Sequence, residues 1–209
     1  MRVSPHCRSA LRTIMSAANL NPGQLIVLCG PSGVGKSTIS RRLAAQLNVS
    51  YTVSATTRPK RPNEEEGKTY EHISRDEFSR RLDSDEFLEY AQVYDDLYGT
   101  PKHPALGYLA EGRDVLLEID VQGALQVRYA YPSALLIFIL PPDEPTLLER
   151  LTGRGRDPAE VIAKRFRAAK REIHMAKGSR AFDFFVINDD LDRAVDEIVR
   201  ILRHKRAGV

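Results

Sequence analysis

Strand-like runs punctuate the chain at "LIVLC" from Leu25, "SYTVSA" from Ser50, "VLLEID" from Val115, "ALLIFIL" from Ala134 and "FFVIN" from Phe184. Between them apolar positions return at helical spacing, as in "ISRRLAAQL" from Ile39. Strands that are apolar nearly throughout are buried on both faces, so their alternation with helices predicts a parallel sheet flanked by helices, an α/β fold. The longest apolar run, Ala134–Leu140, is far too short to cross a bilayer and predicts a buried strand.

The pattern departs from this alternation twice. Between Arg58 and about Pro104, "TYEHIS" and "EFLEYAQVY" predict short strands flanking a helix at "RDEFSRRLDS", with turn-rich "RPKRPNEEEGK" leading in and turn-rich "DDLYGTPKHP" leading out. This is a small mixed α/β insertion that caps the ligand end of the sheet. After "LPPDEP" come a helix at "TLLERL", a turn at "TGRGRDP" and a long helix from about Pro158 to Lys177 carrying Arg165, Arg167, Lys170 and Arg171. A solvated charged helix accounts for these cations singly. As a group with "GRGR" on a flexible turn, they read as a mobile clamp for an anion.

The first strand runs directly into "GPSGVGKST", Gly30–Thr38. Gly30 and Gly35 bracket four residues, and Lys36 and Ser37 follow; with a strand before and a helix after, this is the phosphate-binding loop in its required context. Such a loop points successive backbone N–H groups inward, and the helix opening near Lys36 adds the positive end of its dipole. Gly30, Pro31, Ser32, Gly33, Val34, Gly35, Lys36, Ser37 and Thr38 are therefore candidate triphosphate contacts. Lys36 neutralises β/γ oxygens and the Ser37 hydroxyl ligates Mg²⁺.

With 209 residues, 42% of them hydrophobic, the chain can bury one substantial core. The net charge is only +3, but no acid precedes Glu64, whereas Arg41, Arg42, Arg58, Lys60 and Arg61 do, which favours anionic ligands there. No basic run interleaves with aromatics and tryptophan is absent, which argues against nucleic acid as a partner. Cys7 and Cys29 make no disulfide framework, fitting a reducing, cytoplasmic setting, and the histidines lack zinc-ligand spacing. Residues 1–20 carry Arg2, Arg8 and Arg12, several serines and no acid, and predict a disordered basic extension, with Met15 an alternative start. That composition is shared by organelle transit peptides, so import through it stays open.

Seven further segments, "VSATTRPKRPNEEEGKTY", "EFLEYAQVYDDLYGT", "LLEIDVQGA", "FILPP", "LTGRGRD", "VIAKR" and "VINDDL", resemble in order and spacing those of the guanylate kinases, from about Gly23 to the last helix. The resemblance implies transfer of the γ-phosphoryl group of ATP to GMP or dGMP, with Mg²⁺. It implies a P-loop core at residues 21–53, 104–141 and 187–209, a GMP-binding insertion at 54–103 and a helical lid at 142–186.

Site residues carry over position by position. Arg58 and Arg61, three apart in a Pro-punctuated segment, suit a phosphate monoester together with the Tyr70 hydroxyl, and the matching family positions hold the GMP phosphate. Tyr98 matches another phosphate contact. Glu89 matches the carboxylate that accepts from guanine N1–H and N2–H₂, and Ser54 and Thr100 match hydroxyls at the base edge. Glu118, where the family often has aspartate, is assigned to the metal through water, and Asp120 to the guanine side. Arg150, Arg154 and Arg165 match arginines around the transferring phosphoryl group, and Asn188 a position near the adenine. Leu97 stands where a tyrosine is common.

Two other functions share these features. Non-catalytic guanylate-kinase-like modules bind phosphorylated peptides, but their phosphate loop is typically damaged; a same-fold kinase acting on a ribose bisphosphate would not need Glu89, Ser54 and Thr100 together.

Overall fold

The computed structural model describes residues 23–62, 64–65, 67, 70–153 and 158–206. In chain order the elements are β1 (Leu25–Cys29), α1 (Lys36–Gln46), β2 (Val49–Tyr51), β3 (Ala55–Thr56), β4 (Glu71–His72), α2 (Arg75–Asp83), β5 (Phe87–Val93) and β6 (Asp96–Pro101). There follow α3 (Lys102–Ala110), β7 (Asp114–Glu118), α4 (Val121–Ala130), β8 (Leu135–Leu140), α5 (Glu144–Thr152), α6 (Ala159–Ser179), β9 (Phe184–Ile187) and α7 (Leu191–Arg206).

The apolar runs form a five-stranded sheet in the order β2-β7-β1-β8-β9. Val49 lies opposite Asp114 in the parallel β2/β7 pair, and Ile137 opposite Phe184 in the parallel β8/β9 pair. All of β1 is buried, as is β8 up to its last residue, the burial that a sheet covered on both faces requires. A second, four-stranded sheet in the order β4-β3-β6-β5 holds antiparallel pairs around β6.

Two compact units partition the chain. The first comprises the described residues up to Ile26, Val49–Leu117 and Gln122–Ala134. Its satellite core stacks Phe78 on Phe87 at 4.5 Å between ring centres, with Ala55 buried beside them and Ile73, Leu82, Tyr90 and Leu97 packed around. The second comprises Val27–Asn48, Glu118–Val121 and Leu135–Val209, described to residue 206. In it α5 and α6 meet through Leu147, Leu151 and Ala169, and α7 buries Ala194, Val195, Ile198, Val199 and Leu202, a helical stripe that leaves its charges in water.

Two sequence expectations are corrected. "SYTVSA" is not one strand: β2 ends at Tyr51 and β3 begins at Ala55, in different sheets. No turn residue marks the break, and the alternation reads equally well through it. The segment "DDLYGTPKHP" is not a turn-rich exit but supplies β6, paired with both β3 and β5. Its hairpin closes at Tyr94 and Asp95, with Tyr94 at φ 59° in place of the usual Asn-Gly signal. Gly99 is there because a side chain would meet the Phe87 ring at 2.7 Å. Among the described residues no helix is long and apolar enough to cross a membrane. The expected extension at 1–20 lies outside the described residues.

Candidate functional site

In the second unit the phosphate loop takes its shape from glycine. Gly35 caps α1 at φ 100°, ψ 13°, left-handed backbone that disfavours any side chain. α2 and α5 carry their own caps: Ser74 accepts from the Glu77 N–H and Asp143 from the Thr146 N–H. α1 has neither a side-chain cap nor an acid in its first turn, which suits an external anion at its N-terminus. Asn188, buried just beyond β9, donates from Nδ2 to the Val34 carbonyl at 2.8 Å, so the loop is braced from β9.

Lys36 folds its ammonium over the loop, donating to the carbonyls of Gly30 at 2.5 Å and Pro31 at 3.2 Å. The Ser37 hydroxyl donates to Glu118 Oε1 at 2.6 Å, so the side chain at the end of β7 reaches the loop serine directly. Among the described residues no cluster of three or more His, Cys, Asp or Glu side chains could hold a metal by itself. A hydroxyl and a carboxylate suit Mg²⁺, which keeps waters and takes its remaining oxygens from nucleotide phosphates.

The charges around Lys36 include one that sequence reasoning missed. Burial lifts the Glu172 carboxyl on α6 from its ordinary 4.5 to about 7; Lys36 opposes the rise, Asp120 adds to it and Arg171 opposes it. Burial also raises the Cys29 thiol, with Lys36 opposing and Asp120 and Glu172 adding, so this cysteine is an inert core residue. Asp120, expected toward guanine, also adds its negative charge to the surroundings of Cys29 and Glu172. In sequence Glu172 is the one acid within the cationic stretch Lys164–Lys177 of a helix that also carries Glu160; its contrast with those cations was the available signal.

Arg150, in the last turn of α5, has a buried Nη1 with no hydrogen-bond partner among the described residues, a state that an incoming phosphate oxygen would satisfy. Arg165 is half-buried on α6, and Arg154 lies outside the described residues.

The first unit holds the candidate base-edge and monophosphate residues Ser54, Arg58, Arg61, Tyr70, Glu89, Tyr98 and Thr100. Glu89 on β5 lies directly opposite Thr100 on β6, so both side chains share one face of the sheet. Thr100 Oγ1 donates to Glu89 Oε1 at 2.6 Å, and Ser54 Oγ stands 3.5 Å from Thr100 Oγ1. Glu89 is only 4% exposed. A carboxylate so buried must be compensated by donors, and guanine's N1–H and N2–H₂ are such a pair.

Beside it, Arg58 is held from several directions. Nη2 donates to Glu64 Oε1 at 2.6 Å, Nε to the Tyr98 hydroxyl at 3.2 Å and Nη1 to the Pro59 carbonyl at 2.7 Å. Its guanidinium lies 5.5 Å from the centre of the Tyr70 ring. Burial works against the Arg58 charge, but the bonds to Glu64 and Tyr98 outweigh it and hold the guanidinium above its ordinary range. Burial likewise opposes the Glu64 charge, while Arg58 and the Arg61 N–H, at 2.9 Å, pull that carboxyl below its usual value. Thr56 Oγ1 donates to the Leu97 carbonyl and accepts from the Arg58 N–H, pinning this segment to β6. Arg61 itself is exposed. Sequence reasoning missed Glu64 because it reads as one acid of "NEEEG"; its recurrence three residues after Arg61 was the available signal.

The family model described as guanylate kinase matches residues 22–205. The chain belongs to the guanylate kinase family. The guanylate kinase of Carboxydothermus hydrogenoformans is 45% identical over 184 residues, 88% of this chain and 89% of that protein. That of Thermotoga maritima is 44% identical over 188 residues, 90% of this chain and 89% of its own. In three dimensions the chain is similar to the crystal structure of guanylate kinase from Anaplasma phagocytophilum, with a TM-score of 0.75 at 32% identity, covering 89% of this chain and 87% of that one. The guanylate kinase match spans both the phosphate loop and the Glu89 strand.

Proposed function

We propose that the chain transfers the γ-phosphoryl group of ATP to GMP, and to dGMP, giving ADP and the nucleoside diphosphate. The observation that carries this reading is the buried Glu89 carboxylate opposite Thr100, in a chain that also keeps an intact phosphate loop. A site whose polar groups await a particular donor pattern rejects a base that lacks it. Adenine offers no N1–H and no N2–H₂, so it gives Glu89 neither of those two donors.

The acceptor is a phosphate oxygen already ionised near neutral pH, so no general base is required. Catalysis reduces to holding two anions in line and compensating charge on the equatorial oxygens. The Gly30–Thr38 loop and Lys36 hold the triphosphate, and Asn188 keeps the loop in shape. Ser37 and, through water, Glu118 would hold Mg²⁺, which would supply charge neutralisation to the triphosphate. Arg58, Arg61, Tyr70 and Tyr98 hold the GMP phosphate, Ser54, Thr100, Glu89 and Asp120 the base side. Arg150, Arg154 and Arg165 offset charge on the transferring group.

In this reading residues 54–103 act as the acceptor-binding insertion and 142–186 as the lid on a P-loop core. Closure with both substrates bound excludes water and suppresses wasteful ATP hydrolysis. The cytoplasm, where both nucleotides occur, is the setting proposed. A phosphoryl-transfer assay with ATP and Mg²⁺ across GMP, dGMP, AMP, CMP and UMP tests the proposal: the two guanine nucleotides turn over efficiently and the others poorly. Equal rates across the bases, or no transfer, overturns it.

A further inference from the structure

We propose that Gly123 fixes the position of the Glu89 carboxylate and is thereby a specificity-determining residue for guanine; the inference rests on the guanine reading above. Gly123 is buried in the first turn of α4. It is not among the glycines with positive φ, so its backbone would accept alanine, the stronger helix former. Conformation therefore does not explain the glycine. Space does: a Cβ at this position would overlap Glu89 Oε2, and would lie 2.9 Å from Glu89 Cδ and 3.4 Å from Cγ.

The helix and strand cannot part to relieve that overlap. Gln126, one turn along α4, donates from Nε2 to the Tyr90 carbonyl at 2.6 Å and accepts from the Tyr90 N–H at 3.3 Å. Gln122 Nε2 donates to the Gln92 carbonyl at 3.3 Å. Main-chain atoms of the residue next to Glu89, and of a second one further along β5, are thus tied to α4. The part free to yield is the far end of the Glu89 side chain. Its displacement would draw the carboxylate from the 2.6 Å bond with Thr100 and from the line of two adjacent guanine donors. Gly123 touches no substrate in this account; it is a positioning residue acting through Glu89.

The test is a double-mutant cycle: wild type, G123A, E89A and E89A/G123A, each assayed for kcat and KM with GMP and AMP at saturating ATP and Mg²⁺, with KM for ATP and thermal melting alongside. G123A is expected to raise KM for GMP about 10-fold and to lower the GMP/AMP ratio of kcat/KM by about 10-fold or more, as loss of a charged hydrogen bond does. KM for ATP stays within about 2-fold. In the E89A background the same substitution changes neither quantity by more than about 2-fold, since the group it displaces is gone.

Unchanged GMP kinetics in G123A overturn the inference, as do equal losses in both backgrounds, which would mark a general packing role. Should G123A be too unstable to assay, the melting temperatures run the same cycle: relief by E89A supports the contact, and equal loss in both backgrounds overturns it. A wild-type chain that does not prefer GMP overturns the guanine reading and this inference with it. A wild-type chain that does, with an unchanged G123A, overturns the inference alone.

Discussion

The phosphate loop and the base-edge site solve the same problem, holding a polar ligand, with different materials. The loop is nearly continuous in sequence and works through the main chain, with glycine at the cap of α1 and one brace from Asn188. The base-edge site is assembled from side chains on separate strands, Ser54 before β3, Glu89 on β5 and Thr100 on β6, and its central carboxylate is buried. Main-chain donors survive every substitution except proline and do not discriminate between bases. Buried side chains can be deleted one at a time, and each carries selectivity. In the proposed reading the loop therefore sets whether the reaction proceeds, the base-edge site which acceptor undergoes it.

The largest effect is expected at the loop's one indispensable side chain. Lys36→Ala lowers kcat by about 10³-fold, the upper range for loss of one preorganised charge-stabilising group; steady-state assays and an unchanged melting curve together check that the fold survives. Next comes Glu89→Gln, which keeps the shape but exchanges one acceptor oxygen for a donor. It lowers the GMP/AMP ratio of kcat/KM about 10- to 100-fold, while KM for ATP is unaffected. An unchanged ratio would remove Glu89 from base selection and dissolve the contrast drawn above.

Glu64→Gln is a smaller perturbation of the same unit. Arg58 loses its charged partner, so KM for GMP rises about 5-fold with a lesser change in kcat, as expected for weakened preorganisation. Glu64 also carries a pH signature. Its carboxyl is depressed in the folded state, so its contribution to stability is present above the ordinary carboxylate value and is lost as pH falls through the lowered one. Urea titrations between pH 5 and pH 2 should show a shallower acid loss in the Gln variant.

The smallest effect belongs to the loop's surroundings and has the opposite sign. Glu172 titrates near 7 when folded and near 4.5 in its ordinary state, so between these values the folded chain binds the extra proton. Stability from this group is therefore highest below 4.5 and declines as pH rises toward 7. Glu172→Gln should flatten that decline, measured as the midpoint of urea unfolding at pH 5 and pH 7.5. A decline of equal slope in both proteins would show that Glu172 is not the group responsible.

The same contrast governs what could be read from the sequence. The loop was legible because its residues are adjacent and each has a backbone reason to be there. The strands β1, β7 and β8 were legible because burial on both faces writes a continuous apolar run; β9 reads as apolar too, although at the sheet edge only Val186 is buried. β6 was not, because Gly99 and Pro101 look like turn residues, and only the approach of Phe87 explains the glycine. Glu89 was legible only through family resemblance: one acid in an alternating strand is indistinguishable from a solvent-facing one until Thr100 is seen opposite it. Glu64 and Glu172 escaped for a related reason. Each sits among charged neighbours in the sequence, and spacing alone does not say which acid of several is enclosed.

The brace on the phosphate loop comes from a residue 154 positions further along the chain. A ribosome making this protein therefore releases the loop long before its fastening. A nascent chain short of Asn188 has the glycine-rich loop without the clasp that shapes it, so the final form of the loop waits on a segment made long after it.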